Sequence, residues 1–202
     1  MIAWSLFIPA CFALNCAPGP NNMLALTNAA RLGFVPALLG GLGRMPAFAF
    51  LIFVTVMGLG AVIAASAEAF LAVKILGAVY LVYVGVQVLM KAKVLADVQS
   101  TDTSVRELMR RDFTMAITNP KAIAVFTAFF PQFLTADGPV WQQLTEMGVA
   151  FLVMEVGAVA LYVLAGALLR GVLRSRNVFI WLNRVVGSAL IAAGGAMALS
   201  RG

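Results

Sequence analysis

The sequence has no histidine, only 8 acidic residues among 202, and a charged fraction of 11%. Without histidine, zinc or haem cannot be held through imidazole. No cluster of acid–base groups and no metal-ligand spacing stands in for it, so an enzyme is not expected. The only cysteines are Cys11 and Cys16. Five apart on one helix, they point to different faces and read as small packing residues rather than a redox pair. No ATP-binding loop is present, so any transport must be driven by an ion gradient or a partner. A soluble domain would carry about a quarter charged residues, and no stretch has room for a sizeable one. No Lys or Arg precedes the first apolar run, so the n-region of a signal peptide is missing and the first span is expected to be retained.

What fills the chain instead is apolar: 62% of residues are hydrophobic, and the mean hydropathy is +0.99. A spanning helix needs about 20 mostly apolar residues. Six such segments are predicted, at 3–28, 36–63, 70–91, 112–134, 142–169 and 178–200. The net charge of +6 does not point to nucleic acid, because the basic residues sit between the apolar spans. Arg31, Lys91, Lys93, Arg106, Arg110, Arg111, Arg170, Arg174 and Arg176 fall in the three loops on one side. The other side holds Arg201, and Lys74 if a helix end is counted. The positive-inside rule makes the first side cytoplasmic, with both termini outside. Trp4, Trp141 and Trp181 fall near span ends, as interfacial anchors do.

Two spans are interrupted. Pro18-Gly19-Pro20-Asn21 breaks the first, and Asn119-Pro120-Lys121 breaks the fourth. A freed backbone group in lipid is costly, so broken helices survive only where they are buried in protein or line a cavity. Paired breaks in corresponding places point to a transporter's binding site. The polar stretch 92–111 separates a half of approximately 1–91 from one of 112–202 within a single transmembrane domain. Lys74 is followed by Gly77 and Gly85 as Arg184 is by Gly187 and Gly195, at equal offsets. Three spans per half make the second half enter from the opposite face. The predicted fold is therefore all-α: six transmembrane helices in two inverted three-helix repeats, with helices 1 and 4 broken.

These segments carry a family resemblance. Ala17-Pro18-Gly19-Pro20-Asn21-Asn22, Gly77 through Gly85, Asn119-Pro120-Lys121-Ala122 with Pro131-Gln132-Phe133, and Asn183-Arg184 with Gly187 resemble the LysE/RhtB family of amino-acid exporters. The likeness covers nearly the whole chain. It implies six helices in the bacterial inner membrane, no cofactor, and export of small amino acids or their derivatives (threonine-, homoserine- or leucine-like) in exchange for protons. It leaves a homodimer open. Span two departs from the family pattern at Arg44 and Pro46, within Gly40-Gly41-Leu42-Gly43-Arg44-Met45-Pro46. Two other functions compete. A membrane thiol/disulfide carrier would want a reactive cysteine in each half, and span four has none. A non-transport scaffold does not explain two broken helices.

At 1.5 Å per residue, both breaks approach the middle of a core about 30 Å thick. Half-helix N-termini are expected near Asn21 and Lys121, where they favour an anion such as an amino-acid carboxylate. Carbonyls near Cys16, Ala17 and Thr118 are expected to accept from the substrate ammonium. The predicted substrate-binding residues are Pro18, Gly19, Pro20, Asn21, Asn119, Pro120 and Lys121. Lys121 either faces the cavity or snorkels to the cytoplasmic face, and Asn21 and Asn119 either bind substrate or cap their half-helices. Glu155, about 18 Å along span five, is read as the one deep carboxylate and as a proton carrier. Arg44 is its candidate partner, and a static Arg44–Glu155 pair is the alternative.

Overall fold

The computed structural model describes residues 2–65, 104–135 and 138–168, with the single residues 79, 86 and 188. Apart from those single positions, the expected third and sixth spans and the glycine pattern that relates them lie outside the described residues. So do Trp181 and the linker up to 103. Among the described residues every regular element is helical.

The first span is two helices, α1 (Trp4–Cys16) and α2 (Pro20–Leu32). The break follows from local sterics. A residue preceding proline is pushed out of the helical region, and both Ala17 and Gly19 precede a proline. Ala17 is extended at φ −60° and ψ 132°, and Gly19 at φ −164° and ψ 173°. Pro20 then starts α2, where its missing N–H is harmless. The same rule breaks the fourth span. Asn119, before Pro120, is extended at φ −72° and ψ 110°. It separates α5 (Val105–Ile117) from α6 (Pro120–Ala124), and the two halves of the span are bent by 50°. A π-helical turn (Val125–Phe129) follows, then a 3-10 turn (Phe130–Phe133) containing Pro131. The widening falls just ahead of Pro131, whose ring and missing N–H disturb the preceding turn.

Helix α5 begins seven residues before the expected start at 112. Ser104 caps it by accepting from Glu107 N at 3.3 Å, the first half of a capping box. The second span is also divided, into α3 (Phe34–Gly41) and α4 (Arg44–Ala65), with Leu42 and Gly43 between them. A side chain at Gly43 would collide with the Met109 backbone, so glycine is what lets this junction lie against α5. The fifth span, α7 (Val140–Leu168), is unbroken.

The apolar run Phe34–Gly58 (25 residues) and α7 (29 residues) are long enough to cross a membrane. Their outward faces, and that of α1, expose Leu6, Phe53, Val153 and Leu161. The chain is a polytopic membrane protein. Inside, Phe7 packs edge-on against Phe130 and Phe133, and Phe126 packs edge-on against Phe48 and Phe151. This aromatic cluster ties α1, α4 and α7 to the second half of the broken fourth span. Toward the other end, Gly166 of α7 lies against the backbone of Leu26 in α2.

Candidate functional site

A helix that stops inside a membrane protein leaves carbonyls without intrahelical partners. Those at the end of α1 are satisfied by side chains, one from the start of the next helix and two from distant parts of the chain. Asn22 Nδ2 donates to the carbonyl oxygens of Asn15 (2.8 Å) and Ala17 (3.1 Å). The Tyr162 hydroxyl of α7 donates to Cys16 O at 2.7 Å. The Lys121 ammonium donates to Ala17 O at 2.5 Å. Cys16 O and Ala17 O, expected to receive a substrate ammonium, are thus held by the protein's own donors. Lys121 turns inward rather than snorkelling and is 8% exposed. Its stem passes over Gly19, where an added Cβ would meet Lys121 Cδ at 3.2 Å.

The two breaks touch. Asn119 caps α6 by accepting from Lys121 N at 3.0 Å, and its amide donates to Asn21 Oδ1 at 2.7 Å. Asn21 Nδ2 donates onward to the backbone oxygen and Oδ1 of Asp112, at 2.9 and 3.0 Å. One amide of each half-helix thereby joins the two interrupted spans, 98 residues apart in sequence.

Arg44 lies at the centre, with no exposed surface. All five guanidinium N–H groups have acceptors. Nε donates to Asp112 Oδ2 (2.8 Å), and Nη2 to Asp112 Oδ1 (3.2 Å) and Asn21 O (2.8 Å). Nη1 donates to Asn22 Oδ1 (2.7 Å) and Glu155 Oε1 (2.8 Å). The guanidinium therefore binds α2, α5 and α7 to α4. The reading of Glu155 as the one deep carboxylate is corrected. Asp112 is equally buried, at 1% against 4% exposed, and holds Arg44 through both its oxygens. Its sequence signal is the four-residue spacing Leu108–Asp112–Ala116, which puts a carboxylate on the buried stripe of α5. The flanking arginines at 106, 110 and 111 hide that stripe in a composition-level reading.

Beside this network lies a small, partly open cavity of about 20 Å³, room for little more than a water molecule in this conformation. Of the expected site residues, Gly19, Asn21, Asn119, Lys121 and Glu155 line it. Pro18 and Pro20 shape the first break without lining the cavity, Pro120 starts α6, and Arg44 sits behind Glu155. Asn15, Asn22, Phe48, Ala122, Val125 and Phe151 complete the walls. Asn15 and Asn22 flank the Pro-Gly-Pro break, and the signal for them was their polarity in an otherwise apolar span. Counting Arg44 and Lys121 against Asp112 and Glu155, the buried charges around the cavity balance.

A mostly apolar cavity carrying a few buried charges between broken helices is an arrangement that membrane transporters use. The family model described as LysE type translocator matches residues 12–201, and the chain belongs to that family. It is 28% identical over 199 residues to an uncharacterised membrane protein of Vibrio cholerae serotype O1, covering 98% of this chain and 97% of the relative. It is 29% identical over 153 residues to a leucine efflux protein of Salmonella typhimurium, covering 75% of this chain and 69% of the relative. It is 30% identical over 148 residues to the uncharacterised membrane protein YrhP of Bacillus subtilis, covering 68% of this chain and 70% of the relative. No solved structure matches the chain.

Proposed function

We propose that this protein exports small neutral amino acids, leucine-like or threonine- and homoserine-like, from the cytoplasm in exchange for protons. The observation that carries the reading is the cavity itself, where an inward-turned lysine, amide groups and a carboxylate face an apolar wall. That combination suits a zwitterion with an uncharged side chain. The substrate carboxylate is assigned to Lys121 and to the N-terminus of α2, which no side chain caps. Pro18, Gly19 and Pro20 create that terminus. Asn21, Asn119 and Pro120 hold the second break against it. Phe48, Val125 and Phe151 receive the cargo's side chain.

Proton coupling is assigned to Glu155. Arg44 has a second carboxylate, Asp112, which engages it through two bonds. Protonating Glu155 therefore leaves Arg44 paired while it changes the charge balance of the cavity. This redundancy favours a titrating Glu155 over a purely static partner. Release of Glu155 from Arg44 would loosen α7 from α4, a two-state element of the kind alternating access requires. The same reading places the chain in the bacterial inner membrane, as six spans in two inverted repeats with both termini outside.

The test is transport in proteoliposomes with an imposed proton gradient, using a panel that includes L-leucine, L-threonine and L-homoserine. Gradient-driven movement of one or more neutral amino acids is expected. Failure of the whole panel would overturn the reading.

A further inference from the structure

We propose that the side-chain oxygen of Asn15 reads the substrate's ammonium group, so that the cargo must present an N–H donor there. The inference rests on the export reading above and adds to it the atom that recognises the amino end. Asn15 is the penultimate residue of α1 and is 3% exposed. Its Nδ2 donates to Phe151 O at 3.2 Å, which fixes how the amide is turned. Its Oδ1 is the one buried side-chain polar atom without a hydrogen-bond partner among the described residues.

The surroundings make this orphan informative. Arg44 has acceptors for all its N–H groups, and the carbonyls of Asn15, Cys16 and Ala17 all receive side-chain donors. An acceptor left bare amid such matching has a desolvation cost that a bound donor removes. Asn15 also lines the cavity together with Lys121 and Glu155. Lys121 supplies a cation for the carboxylate end of a zwitterion. Glu155 Oε1 is already engaged by Arg44, whereas Asn15 Oδ1 is not. A neutral amide oxygen accepts from an ammonium without leaving an extra buried charge when the cavity is empty. A bound water is the competing occupant, and blocking the amine separates the two.

The experiment compares L-leucine with its N,N,N-trimethyl derivative as a competitor, in proteoliposomes of the full chain. Wild type is expected to move leucine and to be indifferent to the trimethylated compound. Asn15→Leu keeps the side chain's size and removes the acceptor. It is expected to raise the KM for leucine by about 10- to 100-fold, the range of a charge-assisted hydrogen bond. It should also narrow the preference for leucine over the trimethylated compound by about the same factor. Asn15→Ser keeps an oxygen in a smaller side chain and should fall between the two. It decides the matter if the Leu variant does not fold, and melting temperatures in detergent establish which variants are folded. If the folded variants keep the wild-type KM and discrimination, Asn15 Oδ1 holds only water and the proposal falls while the export reading stands. If wild type moves none of leucine, threonine or homoserine, the export reading falls and takes the proposal with it.

Discussion

Replacing Asp112 by Asn separates the two carboxylates that hold Arg44. Both oxygens of Asp112 accept from the guanidinium, Oδ2 from Nε at 2.8 Å and Oδ1 from Nη2 at 3.2 Å, and Oδ1 also accepts from Asn21 Nδ2 at 3.0 Å. An amide at this position must turn its NH₂ toward a cationic N–H or toward Asn21. The substitution thus removes a charge and places donor against donor in a site without solvent. Breaking a buried ion pair from one side costs about 3–5 kcal/mol. Glu155 is different, because only its Oε1 accepts from Arg44, at 2.8 Å. In Glu155→Gln the amide oxygen keeps that bond, and the NH₂ takes the other oxygen's place. The loss is then the difference between a charged and a neutral acceptor, about 1 kcal/mol. Unfolding free energies in mild detergent should therefore rank wild type above Glu155→Gln, and Glu155→Gln well above Asp112→Asn. A double-mutant cycle with Arg44→Gln should return a larger coupling energy for Asp112 than for Glu155. Equal costs, or a larger cost for Glu155→Gln, would refute the assignment of Asp112 as the principal partner of Arg44.

Because its fold is expected to persist, Glu155→Gln should lose gradient-driven export while keeping substrate exchange in the absence of a gradient, measured as counterflow; full proton-driven export by the variant would end the coupling role. Lys121→Met keeps the stem over Gly19 and removes the ammonium from Ala17 O, whose second donor, Asn22 Nδ2, remains at 3.1 Å. It should fold normally and lose most transport, and unimpaired uptake would reduce Lys121 to a structural tie. Reporter fusions after Arg31 and Arg174, and within 92–111, should read cytoplasmic; a cytoplasmic C-terminus would refute the six-span arrangement.

The positions of both breaks were legible in the sequence because their cause is local. Ala17, Gly19 and Asn119 each precede a proline, and the clash that drives them extended involves only neighbouring atoms. The membrane class was legible for a similar reason, since helix length and apolar content are summed along the chain. The start of α5 was also written locally, in Ser104 and Glu107, although the charge around them made the segment read as a linker. What joins the breaks was not legible. Arg44 meets Asp112 across 68 residues and Glu155 across 111, and Asn21 meets Asn119 across 98. Depth along a span made Arg44 and Glu155 candidate partners but was silent on Asp112, which lies among exposed arginines. Nor does a Pro-Gly-Pro segment by itself say which groups will take its freed carbonyls. Asn22 reaches back from the next helix, but Tyr162 and Lys121 do so only because packing brings α7 and the second half of the fourth span against the end of α1. Pre-proline sterics act between adjacent residues and need no tertiary structure. Satisfying what they expose inside a membrane requires donors from elsewhere in the chain, and only the packed bundle determines which ones arrive.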